Sequence, residues 1–348
     1  MIMKNLSVYV NSLSQISVQN PLCNDWTTVP RTFPGERLVV CSDPDFKLLL
    51  PANVVRRNSK VLRRAMVVAK DALTKSGLSQ VDGVFTGSGL GCVESTEAFL
   101  QGLVYSGEEF LKPTQFMQST HNTISSVIGI ALKCNGYNTT YCHKGISFES
   151  ALLDAFMQLS SGKISSAFVC GFDEMSVTYH SLLCRSGYFE DGGTGFAGES
   201  AAGGVISTID GVNRICRVAA VRIVYTNDKA LLAHTLSEAL SDAGIAVGDI
   251  DAVMTGINGY PSNDKAYFRN LDSLNLGCKK LGFAHIFGES YSGSVYGFYA
   301  SALCLQCSQI FSVLDLEKDK PLARKPENIL IYRHFNNKDH AFIILRRC

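Results

Sequence analysis

Between Asn138 and Gly162 the chain reads NTTYCHKGISFESALLDAFMQLSSG, in which Phe148, Leu152, Ala155 and Leu159 recur at spacings of four and three. That is the period of one helix face. Glu149 and Asp154 lie off this face, so the pattern predicts a helix with one polar side, beginning just after Cys142. Asn58 to Gly77, NSKVLRRAMVVAKDALTKSG, opens on a polar cap and closes on glycine, which specifies both ends of a second helix. Residues 119 to 132 predict a third. Strand patterns occur at residues 6–11 (LSVYVN), Asp82 to Thr86 (DGVFT), Asn138 to Tyr141, Ser166 to Cys170 (SAFVC) and in VIST from Val205. The segment up to about Pro51 is rich in Pro, Asn, Asp and Thr and reads as surface loops.

The second part of the chain repeats the plan of the first. Asp71-Ala72-Leu73 and Gly77 are echoed by Glu238-Ala239-Leu240 and Gly244, and Asp82-x-Val84-x-Thr86-Gly87 by Asp251-x-Val253-x-Thr255-Gly256, with two extra residues between the landmarks. Further on, SYSGSVYGFYASALCLQ from Ser290 aligns with the Cys142 helix, setting Ser290 against Cys142 and Gly293 against Gly145. Each half ends on a strand, SAFVC in one and HAFIILRR in the other. An α/β unit duplicated in one chain predicts two pseudo-symmetric halves, residues 1–210 and 211–348, whose functional loops meet where the halves abut.

Composition narrows the function classes. A formal charge of +1, with Lys and Arg scattered apart from Arg56–Arg57 and Arg346–Arg347, gives no footprint for nucleic acid or an anionic membrane. The N-terminal run MIMKNLSVYVNSLSQ alternates like a strand and has no continuous apolar core of a signal peptide, and no apolar run is long enough to span a bilayer. A soluble, cytoplasmic protein is the expectation. Its 12 cysteines then read as reduced thiols rather than a disulfide framework. Cys304 and Cys307 form the one C-x-x-C, within an apolar helical run, so core packing is expected there and neither a metal nor a cofactor.

Cys142 is the candidate nucleophile. At a helix start a thiol lies near unpaired N–H groups and the positive end of the dipole, and His143 and Lys144 add positive character, all of which favours thiolate. Two other motifs fail. Gly87-Ser88-Gly89-Leu90-Gly91 follows a strand, but its third glycine comes too early for a dinucleotide fingerprint. Gly198-Glu199-Ser200-Ala201-Ala202 ends on alanine where a hydrolase elbow needs glycine.

Over nearly its whole length the chain resembles the condensing enzymes of the thiolase superfamily, most closely the β-ketoacyl-acyl-carrier-protein synthases. RRNSKVLRRAMVVAKDAL is similar to their early helix, VFTGSGLGCVESTEAFL to their strand, glycine loop and helix, TTYCHKGISFESALLDAFMQLSSGKISSAFVCGFDEMS to their nucleophile segment, and GFAGESAAGGVIST to the loop and strand before the second half. The resemblance implies a thiolase-like fold, internally duplicated and layered α/β/α/β/α, with a dimer, homodimeric or paired with a ketosynthase, and an acyl carrier protein as partner. It also implies a decarboxylative Claisen condensation of acyl and malonyl thioesters in fatty-acid or polyketide-type synthesis, with Cys142 at the acyl-accepting position.

The family's two histidine positions are replaced, by Asn258 in Ile257-Asn258-Gly259-Tyr260 and by Glu289 in Gly288-Glu289-Ser290, and Ala284 stands where a lysine is usual. An enolate formed by decarboxylation needs hydrogen-bond donors. Asn258 can donate, Glu289 only when protonated, and His285 and His121 are candidate substitutes. Two readings stay open: a condensing acyltransferase using Cys142, Asn258 and His285, or a catalytically impaired chain-length-factor-like subunit that accompanies an active ketosynthase. A biosynthetic thiolase is disfavoured, because no second cysteine sits in a glycine-rich C-terminal motif.

Overall fold

A computed structural model describes residues 6–106, 111–317 and 324–348, so the first residues of the N-terminal pattern lie outside it. The first half runs β1 (Val8–Gln15), α1 (Phe46–Leu49), α2 (Ala52–Arg57), α3 (Lys60–Ser76), β2 (Gly83–Gly87), α4 (Val93–Ser106), α5 (Pro113–Ser119), α6 (Thr123–Leu132), β3 (Tyr137–Tyr141), α7 (Ser147–Ser160), β4 (Ser166–Asp173), α8 (Val177–Arg185) and β5 (Ser200–Ser207). The second runs β6 (Cys216–Tyr225), α9 (Lys229–Ala243), β7 (Ala252–Thr255), α10 (Pro261–Ser273), β8 (Lys279–Gly282), α11 (Ala284–Phe287), α12 (Ser294–Gln306), β9 (Asn328–Phe335) and β10 (Asp339–Arg347).

The strands form one sheet in the order β3-β2-β4-β5-β1-β6-β10-β9-β7-β8. Counting the second block from β6, both blocks share one order, third-second-fourth-fifth-first, and they meet at their first strands. The seam is short: Val8, Tyr9 and Val10 pair with Val218, Arg217 and Cys216. This duplication is the thiolase-like architecture expected of the sequence. The order also corrects one correspondence, since the counterpart of SAFVC in β4 is β9, while HAFIILRR in β10 corresponds to β5.

Three apolar clusters account for the layers. Leu62 and Val68 of α3 and Ile124 of α6 cover Phe168 and Val205 on the outer side of the first block. Leu236 and Leu240 of α9 with Tyr267 and Leu271 of α10 cover Leu330 and Phe342 of the second. Between the blocks lie α7 and α12, which touch strands of both, and Phe148, Leu152, Tyr296 and Leu303 belong to one cluster there. α7 keeps a narrow exposed edge at Met157, and the rest of its surface is covered by the two blocks. That overturns the polar side expected of α7: Glu149 is fully buried and Asp154 nearly so.

Local chemistry explains the boundaries. No glycine or proline interrupts α3, and Gly77 closes it in the left-handed region at φ 78°, where a Cβ would be strained. Residues 119 to 132 divide at the turn before Thr123 into α5 and α6. All eight residues of β4 are buried, and the strand extends through Asp173, as expected of a strand covered on both faces. Among the described residues no helix is long and apolar enough to cross a membrane, and no group of three His, Cys, Asp or Glu could hold a metal ion. Cys304 is buried in α12 as a packing residue, while Cys307, just past its end, is exposed.

Candidate functional site

Cys142 follows the last residue of β3, but α7 does not begin beside it. Lys144 turns left-handed at φ 46°, residues 144–146 make a 3-10 turn, and the helix starts at Ser147. The Ser147 hydroxyl accepts from the His143 N–H at 2.8 Å and donates to the Lys144 carbonyl at 2.7 Å. These side-chain bonds offer the backbone an alternative to helix. The dipole is felt only within the first turn, so the thiol gains little from it. Cys142 is exposed, yet the protein packed around it and, secondarily, the Asp173 carboxylate push its thiol up to about 11. The thiolate expected from sequence is disfavoured. His143 and Lys144 point to solvent, and the His143 ring lies 3.8 Å from Asp339 at the start of β10.

Asn258 and Glu289 are brought together. The backbone N–H groups of Asn258 and Gly259 donate to the Asp264 carboxylate at 3.0 and 3.1 Å, which fixes the loop between β7 and α10. The Asn258 amide donates to Glu289 Oε2 at 3.1 Å, while its oxygen accepts from the Tyr260 N–H and from Asn263. Glu289 Oε1 accepts from Arg333 Nη2 at 2.6 Å and from the Tyr188 hydroxyl at 3.4 Å. Burial opposes the charge of Arg333, but the Glu289 carboxylate outweighs it, and the guanidinium is held firmly cationic. The donors are thus directed inward at Glu289, and the Asn258 amide is spent on that carboxylate instead of being aimed at an enolate.

Two members of this cluster escaped the sequence reading. Arg333 is the one cation in the otherwise apolar run ILIY ahead of it, and a charge inside a buried strand is the signal that could have found it. Glu149 of α7 has neither oxygen hydrogen-bonded. Burial pushes it up to about 7, with Arg333 and the Ser294 hydroxyl acting against the rise and Glu289 adding to it.

A cavity of about 320 Å³ opens beside the cluster, lined among others by Tyr188, Asn258, Tyr260, Glu289, Arg333 and His334. Cys142 is not part of its lining. Phe335 presses on Gly145 in the Cys142 turn so closely that a Cβ there would meet the ring. Tyr188, Tyr291 and Phe335 form a triangle with ring centroids 5.7 to 6.3 Å apart. Phe335 thus touches the Cys142 turn at Gly145 and also lines the cavity beside Asn258 and Glu289.

His285 is turned away, with Nε2 2.8 Å from the Val313 carbonyl. His121 is exposed in the turn before α6, against Gly91. Among the described residues, no hydrogen bond joins either ring to Cys142, Asn258 or Glu289. Ala284 is buried in α11. Ser290, set against Cys142 by alignment, is separated from β8 by α11, whereas Cys142 directly follows β3. The loops of the two halves do meet, through Asp173: its carboxylate accepts from Gly89 N at 2.7 Å, from Ser88 Oγ at 3.2 Å, and from both Ser292 N and Oγ at 2.6 Å.

Residues 26–187 match the family model described as beta-ketoacyl synthase, N-terminal domain. Three solved structures share the fold over 99% of this chain and 100% of their own. One is the ishigamide ketosynthase/chain length factor, with a TM-score of 0.84 and 16% identity. A second, at 0.78 and 14%, comes from a type II PKS acyl-carrier protein in complex with its ketosynthase bound to the hexaketide. The third is a beta-ketoacyl synthase from Burkholderia phymatum STM815, at 0.75 and 14%. No curated protein matches the sequence.

Proposed function

We propose that this chain, whose residues 26–187 match the beta-ketoacyl synthase N-terminal domain model, is a β-ketoacyl synthase relative that acts as a non-condensing, chain-length-factor-like subunit pairing with an active ketosynthase. The observation that carries the reading is the buried pair of Glu289 and Arg333 with the Asn258 amide bound to it. Condensation of the kind the family performs needs a thiolate and donors aimed at a developing enolate. Here the thiol is pushed toward its protonated form, and the residues at the two donor positions bind each other. What remains is a packed fold that can shape a neighbour's pocket without turning over substrate.

The partners proposed are a ketosynthase and, through it, an acyl carrier protein, in the cytoplasm. Structures of a ketosynthase/chain length factor and of a ketosynthase with its carrier protein support the assignment by likeness of fold. Residues 1–210 and 211–348 are the two halves proposed to make up the subunit.

A second reading is favoured by one observation, the exposed free thiol of Cys142 at the end of β3. Intact-protein mass spectrometry after incubation with acyl-carrier-protein thioesters separates the two. The subunit reading expects no adduct on Cys142, together with co-purification of this chain with a co-expressed ketosynthase. An adduct that vanishes in Cys142→Ala, with malonyl-dependent condensation by this chain alone, would establish the acyltransferase instead.

A further inference from the structure

On α8, outside the site described above, His180 and Cys184 stand one helical turn apart and so share a face. Cys184 Sγ lies 3.6 Å from His180 Nε2, a hydrogen-bond distance for sulfur. The ring is fixed by its other neighbours. It rests on Phe189, with ring centroids 5.3 Å apart, and lies close enough to Arg37 to feel its charge. Arg37 is itself anchored, its guanidinium donating to the carbonyls of Glu190 and Gly193. A nucleophile, a base in contact with it and a third group orienting the base make the arrangement that activates a weak nucleophile.

The electrostatics agree with the geometry. Burial, with the nearby Arg37 charge, lowers His180 below its ordinary value, so the imidazole is neutral at physiological pH and can accept a proton. Cys184 occupies the last turn of α8, one turn after His180. The 3.6 Å contact gives the thiol proton a direct path to His180 Nε2 during attack. Both residues are only partly buried. Cys184 and Tyr188 pack against the apolar cluster that contains Tyr260, and both tyrosines line the 320 Å³ cavity, so the cluster that holds the thiol borders that cavity.

We propose that Cys184 and His180 form a second nucleophilic site, which accepts an acyl group from a small thioester. Sγ bonds to the thioester carbonyl carbon as its proton moves to His180 Nε2. The carbonyl's bond to the departing sulfur then breaks, and His180 returns the proton to the released thiolate. The products are S-acyl Cys184 and a free thiol. The assignment goes beyond the pairing role and is independent of the state of Cys142.

The test incubates the full chain with S-hexanoyl-N-acetylcysteamine and follows each cysteine by peptide mass mapping. The exposed Cys23, Cys307 and Cys348 serve as internal standards. Acylation of Cys184 is expected at least about tenfold faster than at those three, and about tenfold slower in His180→Gln, within the range of a positioned base. A thermal melt of the variant reports whether its fold is retained. Should His180→Gln not fold, the comparison of cysteines within the wild-type chain decides. A Cys184 rate no higher than that of the three exposed thiols, or one unchanged in a folded His180→Gln, overturns the proposal. An adduct on Cys142 in the same map would count against the subunit reading and leave this one standing.

Discussion

Arg333 Nη2 lies 2.6 Å from Glu289 Oε1, with each side chain no more than 3% exposed. The pair joins β9 to the turn before α12 and fixes the floor of the cavity. Removing one partner of a buried pair leaves the other charge uncompensated and costs about 3–5 kcal/mol, whereas replacing both by apolar groups is often neutral. Arg333→Met should accordingly lower stability by about that much in denaturant unfolding, and Arg333→Met with Glu289→Leu should recover most of the loss. A single substitution costing under about 1 kcal/mol, the worth of an exposed pair, would show that the pair does not clamp the site.

Glu149 should make stability depend on pH with an unusual sign. Its carboxyl rises from an ordinary 4.5 to about 7 in the fold, chiefly through burial, so the folded protein holds the proton more tightly than the unfolded chain. The contribution is fully present below about pH 4.5, is lost as pH rises to about 7, and is flat above that. The shift corresponds to about 3 kcal/mol. Urea titrations across this range should give a falling limb in the wild type that is absent in Glu149→Gln. An identical limb in both would assign it to other groups.

Cys142 should alkylate slowly despite its exposure. With its thiol pushed up to about 11, against an ordinary value near 8.5, the thiolate fraction near pH 7.5 is lower by roughly two orders of magnitude. Iodoacetamide labelling read by mass spectrometry should therefore be about a hundredfold slower at Cys142 than in a free cysteine peptide at that pH. Equal rates would mean that the turn supports a thiolate after all.

Gly145 and Phe335 should be coupled. A Cβ at Gly145 would meet the Phe335 ring, and overpacking of this sort costs about 1–3 kcal/mol. Gly145→Ala is expected to be destabilised by that amount in the wild-type background and by much less beside Phe335→Ala. A double-mutant cycle gives the interaction directly, and additive effects would exclude the contact as the cause.

The duplicated plan was legible because it is written in local terms. The periodicity and end signals around α3 and α9, the apolar strands β2, β4 and β7, and the glycine loops each act over a few residues, and their repetition fixed two like halves. Asn258 and Glu289 were legible as a site because both replaced histidines in motifs that the resemblance supplied. What those side chains do was not legible. Their partner Arg333 is 44 residues from Glu289, and nothing local in β9 says which buried carboxylate its guanidinium will meet.

The start of α7 shows the same division from the other direction. Helical period and the family motif placed Cys142 at a helix N-terminus, yet Ser147 caps a turn that sets the helix back, and packing against Phe335 holds that turn closed. The polar side assigned to α7 failed because enclosure between two sheet blocks is a property of the whole chain. Sequence alone determined most of the elements and their duplication, since these follow from spacing and residue type over short distances. Only the tertiary structure decided the upward push on the Cys142 thiol, the pairing of Glu289 with Arg333 and the packing of His180 on Phe189. Burial and charge contact depend on which distant segments pack together, and no local pattern encodes that.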